Sequence, residues 1–64
     1  MKIINKIEDI KIGKTYKIEW EETQQIINVK SIEKCDEPTY KNSYYLNGNQ
    51  RIDFFDMIIT ELDD

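Results

Sequence analysis

The sequence predicts an all-β fold: a small barrel of five short strands, with one helical turn before the last strand. Asn47-Gly48 separates two runs rich in aromatic and branched residues, which is a strong hairpin signal. Apolar and polar residues alternate from Lys14 to Glu21, as in a half-buried strand. The alternation from Gln25 to Lys34 changes phase part-way, as expected where a long strand bends from one sheet into another.

The first nine residues admit two interpretations. Their isoleucines recur at helical spacing, whereas Lys2 to Asn5 is compatible with a short strand. We favour an extended start followed by a turn at Glu8-Asp9. Ile10 to Gly13 then alternates and ends on a glycine, where we expect the chain to bend.

The two long strands supply most of the predicted core. In the second strand Ile27 and Val29 alternate, but Ile32 falls out of phase. A bulge or sharp bend near Lys30-Ser31 would return Ile32 to the core side. A loop from Cys35 to Asn42 follows, because Pro38 and its acidic neighbours favour turns. The residues that we predict to be buried are Tyr16, Ile18, Trp20, Ile27, Val29, Ile52 and Phe54.

The register of the second hairpin depends on the length of its loop. A two-residue loop would put the apolar residues of its strands on opposite faces. A three-residue loop, Asn47 to Asn49, puts Tyr44 opposite Ile52 and gathers the apolar residues on one face. Because a one-residue slip flips every side chain, burial favours the three-residue loop. We predict that Asn49 lies near the left-handed region.

The chain is predicted to close with a short strand. Asp56 to Ile58 is expected to form one helical turn capped by the Asp56 carboxylate, and the last strand is Ile59 to Leu62. Asp63 and Asp64 form a polar tail. We therefore expect one domain over residues 1–64, in which residues 1–9 are an arm or a strand.

Composition excludes several classes of protein. Sixty-four residues bury only about 60% of their unfolded surface, and Cys35 has no second cysteine for a disulfide. The lone thiol suits a reducing compartment, and we expect the cytoplasm of a bacterial or infected host cell. No apolar run is long enough to enter a membrane. The net charge of −4 disfavours direct binding to nucleic acid, and the wealth of Ile, Lys and Asn is typical of AT-rich genomes, including those of phages.

The order of the predicted elements resembles small barrels of the Src-homology-3-like and Sm-like kind. The resemblance rests on Ile10 to Tyr16, the hairpin at Asn47-Gly48, and Phe54 to Ile58 before the last strand. It covers roughly Ile7 to Leu62 and concerns pattern alone. The uridine-binding signature of the Sm family is not recognisable, so the resemblance implies a fold and no site residues.

The sequence offers few residues that could act in catalysis. Cys35 would need a base to act as a nucleophile, and the chain has no histidine. Asp53 and Asp56 could act together in acid–base catalysis. The ordinary interpretation is that Asp53 lies at a solvated strand edge and that Asp56 caps a turn. Gly13 and Gly48 are isolated, so no phosphate-binding loop is present. We expect no enzyme activity, no cofactor and no metal site.

Contact with a protein partner is the function that the sequence favours. Acidic residues are expected to gather at one end of the barrel and to face a basic partner. Interleaved lysines leave open the alternative of an ordinary solvated surface. Aromatic residues outside the predicted core would anchor the contact. The candidate partner-binding residues are Glu19, Glu21, Glu22, Asp36, Glu37, Tyr40, Tyr45 and Phe55.

The expected function is that of a small acidic, non-catalytic protein-binding module. One form of it is a phage or mobile-element inhibitor of a host protein that handles nucleic acid. The alternative is an Sm-like structural or regulatory subunit that self-assembles through its strand edges.

Overall fold

A computed structural model describes residues 2–62 of the chain. Two short 3₁₀ turns, Ile7–Asp9 and Pro38–Tyr40, interrupt an otherwise antiparallel β structure. The strands are β1 (Lys2–Ile4), β2 (Thr15–Trp20), β3 (Thr23–Asn28), β4 (Ile32–Lys34), β5 (Tyr44–Leu46), β6 (Gln50–Ile52) and β7 (Met57–Glu61). The predicted polar tail, Asp63 and Asp64, lies outside the described residues.

The strands form two separate sheets. One sheet has four strands in the order β1-β7-β2-β3, and the other has three in the order β4-β5-β6. The prediction of a mostly β fold is confirmed, but the prediction of five strands closed into a barrel is wrong. Two differences raise the strand count. The N-terminal residues form β1 against β7, and the long second strand is divided into β3 and β4.

The buried core lies between the two sheets. On the four-stranded sheet Ile59 of β7 pairs with Ile4 on one side and Ile18 on the other, and all three are buried. Ile27, Ile32, Tyr44 and Phe54 are only partly buried and pack against this core. The buried apolar residues are Ile4, Ile10, Tyr16, Ile18, Val29, Cys35, Leu46, Ile52, Met57 and Ile59.

Trp20 corrects the predicted core. It has the phase of Ile18, yet 42% of its surface is exposed. Trp20 is the last residue of β2, where it lines a cleft together with Gln50 and Met57. Alternation identified the face of the strand correctly but could not show that the second sheet fails to cover the strand end.

The passage between the sheets confirms the predicted bend. The chain leaves the four-stranded sheet after Asn28 and joins the three-stranded sheet at Ile32. The Asn47 side chain holds this crossover. Its Oδ1 accepts hydrogen bonds from the backbone N–H groups of Lys30 (2.7 Å) and Ser31 (3.3 Å), and its Nδ2 donates to the Asn28 carbonyl (3.0 Å).

The second hairpin has the predicted three-residue loop. Leu46 pairs with Gln50, and Tyr44 pairs with Ile52. The expectation of a left-handed Asn49 is wrong, because the positive φ angles fall on Asn47 (57°) and Gly48 (79°). The bonds from Asn47 to the crossover stabilise this conformation, and they depend on residues that are distant in sequence.

The predicted helical turn before the last strand is absent. Residues 54–56 form a bend, and β7 begins at Met57 instead of Ile59. Asp53, and not Asp56, supplies the capping carboxylate, which holds the backbone in this bend. At the other end of the chain, the extended start and the turn at Glu8-Asp9 are both confirmed.

Within residues 2–62, no helix has the length and apolar character needed to cross a membrane.

Candidate protein-binding site

Arg51 joins three segments on one side of the three-stranded sheet. It stands on β6, directly opposite Tyr45 of β5. Its Nη1 donates to Ser43 Oγ at 3.2 Å and lies 3.4 Å from Asp53 Oδ2, with which it forms an ion pair. Its guanidinium also lies over the Tyr40 ring, 4.4 Å from the centroid. The cation therefore fixes the loop that carries Tyr40 against the sheet.

Asp53 shapes the next turn of the chain. Its Oδ1 accepts hydrogen bonds from the N–H groups of Phe55 (3.0 Å) and Asp56 (2.9 Å). Burial by itself would raise the pKa of Asp53, but these backbone bonds and Arg51 outweigh it, and the pKa lies below its ordinary value. The ionised carboxylate therefore holds the turn that presents Phe55.

Phe55 is the most exposed large apolar side chain of the described residues, with 80% of its surface accessible. It lines two clefts. The first, which we call the Arg51 cleft, has a volume of about 550 Å³ and is lined by Pro38, Thr39, Tyr40, Lys41, Asn42, Ser43, Arg51, Asp53, Phe55 and Asp56. The second, of about 320 Å³, adjoins the N-terminal 3₁₀ turn and includes Ile7 and Tyr44. Phe55 thus forms a ridge between two concave surfaces.

The loop beside the Arg51 cleft is closed by backbone bonds. The Tyr40 N–H donates to the Glu37 carbonyl at 3.0 Å, and the Ser43 N–H donates to the Tyr40 carbonyl at 3.1 Å. The Cys35 N–H donates to the Ser43 carbonyl at 3.1 Å and so extends the ladder between β4 and β5. Cys35, which we predicted to begin a loop, is buried.

Tyr45 borders the same region. The pKa of Tyr45 is raised, most of all by its electrostatic interaction with Cys35, then by desolvation and by the Glu37 carboxylate, while Arg51 lowers this pKa. The phenol is therefore neutral at physiological pH and serves as a hydrogen-bonding, apolar surface.

The predicted site residues fall into two groups. Tyr40 and Phe55 line the Arg51 cleft, Tyr45 borders it next to Glu37, and Asp36 precedes Glu37 in the chain. Glu19, Glu21 and Glu22 belong to the β2–β3 hairpin of the other sheet, and none of them lines the Arg51 cleft. Glu19 forms an ion pair with Lys17 at 3.5 Å. The single acidic patch that would unite all five carboxylates stays a prediction.

Sequence reasoning missed the central part of the site. Arg51 and Ser43 were assigned no role, and Asp53 was interpreted as a residue at a solvated strand edge. Their shared face was the available signal, since an arginine near a carboxylate on one strand face often forms a fixed pair. The contact with Tyr40 had no such signal, because Tyr40 lies in an irregular loop.

Within residues 2–62, no three His, Cys, Asp or Glu side chains are arranged to hold a metal ion. The Arg51 cleft carries two cations, Lys41 and Arg51, and two carboxylates, Asp53 and Asp56. Its own charges balance; nearby, the exposed Asp36 and Glu37 add negative charge, and the exposed Lys34, whose ammonium donates to the Lys41 carbonyl, adds one positive charge. The arrangement suits contact with another surface, in which Phe55 and Tyr40 are covered.

No family model, curated protein or solved structure matches this chain.

Proposed function

We propose that the protein is a small non-catalytic module that binds a protein partner through Phe55 and the Arg51 cleft. The exposure of Phe55 carries this proposal. Two hydrogen bonds to Asp53 hold the backbone that carries this four-fifths accessible phenyl ring, so little backbone freedom is lost when the ring binds. Aromatic residues on fixed turns beside concave surfaces are typical anchors of protein interfaces.

Arg51 and Tyr40 support the same surface. Because the guanidinium is already bonded to Ser43 and Asp53, the Tyr40 ring is stacked in place before any partner arrives. Because Arg51 already holds the Tyr40 ring, less side-chain order has to be created when a partner binds, and this favours slow dissociation.

The charge around the cleft indicates a basic partner. Asp36, Glu37 and Asp56 are exposed at or near the rim, whereas Lys41 is the one exposed cation that lines the cleft. Acidic rims speed association with basic surfaces and are screened by salt. A protein that handles nucleic acid presents such a basic groove, and inhibition of a host protein of this class is the biological form of the proposal.

The proposal is tested in two steps. Immobilised wild-type protein and a Phe55→Ala variant are used to capture proteins from the native host, and candidates are identified by mass spectrometry. Binding kinetics of the purified candidate are then measured over a salt series. We expect Phe55→Ala to raise the dissociation rate by about tenfold or more, because the anchor is lost.

Matched variants separate the two acidic groups. Charge reversal at Asp36 and Glu37 should slow association at low salt. Charge reversal at Glu21 and Glu22 tests whether the acidic residues of the β2–β3 hairpin also contribute to association. Ile58→Ala removes an exposed apolar side chain from the other sheet and should leave the kinetics unchanged. Equal kinetics for wild type and Phe55→Ala would contradict the proposal.

A further inference from the structure

Asn47 and Gly48 form the one Asn-Gly pair in the chain, and both residues are exposed. Asparagine deamidates most readily before glycine, because glycine has no side chain to obstruct attack of its own backbone nitrogen on the preceding carboxamide. This reaction needs no enzyme. The pair is therefore a candidate site of self-modification, and the fold around it decides whether the reaction proceeds.

Deamidation consumes water and releases ammonia. A hydroxide ion removes the proton of the Gly48 N–H, and the nitrogen lone pair attacks Cγ of Asn47. The Cγ–Nδ2 bond then breaks, and Nδ2 takes a proton from water and leaves as ammonia. Water opens the resulting five-membered succinimide at Cγ, which gives aspartate, or at the main-chain carbonyl, which gives isoaspartate. Either product carries a carboxylate where Asn47 has a neutral amide.

The folded turn holds the two reacting atoms apart. The φ angles of Asn47 and Gly48 are 57° and 79°, and the Asn49 N–H donates to the Leu46 carbonyl at 3.3 Å. These features define a type I′ turn, in which ψ of the first central residue is about +30°. At that angle the Gly48 nitrogen lies nearly opposite Cβ of Asn47 about the Cα–C bond. Ring closure requires these two atoms to be eclipsed, so the native backbone excludes the attack.

The crossover between the sheets holds the Asn47 carboxamide as well. Its Oδ1 accepts hydrogen bonds from the N–H groups of Lys30 (2.7 Å) and Ser31 (3.3 Å), and its Nδ2 donates to the Asn28 carbonyl (3.0 Å). The Asn47 N–H donates to the Ser31 carbonyl at 3.0 Å. The carboxamide therefore has to leave all of its side-chain partners before it can meet the Gly48 nitrogen.

We propose that Asn47 is a self-modification site that the crossover protects, and that deamidation of a chain whose hairpin has opened makes the opening irreversible. The rate in the folded protein is then the rate in the open chain multiplied by the fraction of chains that are open. Asn47 does not line the Arg51 cleft, and the proposal does not depend on the function proposed above.

Neither product can restore the native contacts. The aspartate product has no N–H to donate to the Asn28 carbonyl, so two hydrogen-bond acceptors face each other there. The isoaspartate product lengthens the main chain by a methylene group, and the type I′ turn no longer fits between β5 and β6. Since Asn47 links this turn to the chain after β3, its deamidation loosens the passage between the two sheets.

The first test compares deamidation in the folded and the unfolded full-length chain. The protein is incubated in mildly alkaline buffer with and without denaturing guanidinium chloride, and peptide mapping by mass spectrometry measures conversion of the Asn47 amide. We expect conversion to be at least about tenfold slower in the folded chain, and equal rates would overturn the proposal. Asn47→Gln, whose longer side chain disfavours ring closure, is the control. A signal that persists in this variant would place the reaction at another residue and would also overturn the proposal.

The second test raises the open fraction without changing the Asn-Gly pair. Leu46 is the fully buried last residue of β5, next to the turn. Leu46→Ala should therefore speed deamidation by about tenfold or more in the absence of denaturant. Ile58→Ala removes an exposed side chain from the other sheet and should deamidate at the wild-type rate. Equal rates for the two variants would contradict protection by the folded hairpin.

Amide hydrogen exchange measures the consequence of the modification. Chains deamidated in guanidinium are returned to native buffer, and the isoaspartate form is separated by chromatography. Its Lys30 and Ser31 N–H groups should exchange at least about tenfold faster than those of unmodified chains after the same treatment. Slow exchange at Ile18 and Ile59 shows that the four-stranded sheet has refolded, and a chain that does not refold has lost the crossover too. Full recovery of protection at Lys30 and Ser31 would overturn the claim of irreversibility.

Discussion

The guanidinium of Arg51 lies over the ring of Tyr40, with 4.4 Å between Cζ and the ring centroid. Because the same guanidinium bonds Ser43 and Asp53, one side chain connects the 3₁₀ turn, the end of the loop and the turn before β7. These contacts hold together the three segments that line the Arg51 cleft.

Replacing Arg51 should destabilise the protein more than replacing an ordinary surface cation. Arg51→Ala removes a cation–π contact and charge-assisted hydrogen bonds, and we expect the free energy of unfolding to fall by about 1–2 kcal/mol. Lys17→Ala breaks an ion pair on the sheet surface and should cost no more than about 0.5 kcal/mol. Urea denaturation of both variants provides the comparison. Equal costs would mean that Arg51 is merely a surface charge.

Asp53 should make stability depend on acid pH. Its pKa is lowered in the folded protein, so its ionised form stabilises the fold at neutral pH. This contribution is fully present above the unfolded-state pKa of about 3.9 and is lost as pH falls through the lower folded-state pKa. We expect wild type to exceed Asp53→Asn in stability at pH 7, and the difference to shrink below about pH 4. Denaturation at several pH values measures it, and a difference constant down to strong acid would refute the role of the charge.

Trp20 should matter less than its size suggests. Since its side chain is partly exposed at the end of β2, Trp20→Ala should cost no more than about 2 kcal/mol. Ile59→Ala opens a cavity in the fully buried centre of the four-stranded sheet and should cost about 2–5 kcal/mol. Thermal or urea unfolding ranks the two variants. A larger loss of stability for Trp20→Ala than for Ile59→Ala would show that Trp20 belongs to the core.

Asn47 should be critical for the crossover between the sheets. Asn47→Gly tolerates the positive φ but removes the side-chain bonds to Asn28, Lys30 and Ser31, and we expect a cost of about 1–3 kcal/mol. Asn49→Gly makes the same chemical change two residues later and should alter stability by about 0.5 kcal/mol or less. If Asn47→Gly and Asn49→Gly lost comparable stability, the cause would be greater loop flexibility and not the loss of the Asn47 side-chain bonds.

Local pattern predicted those parts of the fold that depend on neighbouring residues. Alternation identified Tyr16 and Ile18 as core, and burial selected the correct hairpin register for Leu46 and Ile52. Alternation failed for Trp20, because it shows which face of a strand is turned inward but not how far the opposing sheet extends.

The errors concern contacts between distant residues. The left-handed conformation fell on Asn47 instead of Asn49, because Asn47 bonds to the crossover some 17 residues earlier. For the candidate site, sequence analysis singled out Phe55 and Tyr40, and both line the Arg51 cleft. It could not place Arg51 beneath Tyr40, since their proximity depends on the path of an irregular loop.

The position of β7 has a consequence for the order of folding. The β2–β3 hairpin and the three-stranded sheet join sequence neighbours, so they close short loops. β7 is the last strand of the described residues, yet it lies between β1 and β2, so Lys2 pairs with Glu61 from the opposite end of residues 2–62. We therefore expect docking of Met57–Glu61 to be the rate-limiting event, because its contacts span the largest sequence separation. Until that strand has been synthesised, β1 has no neighbour, and the N-terminal half of the chain is restricted to a single hairpin.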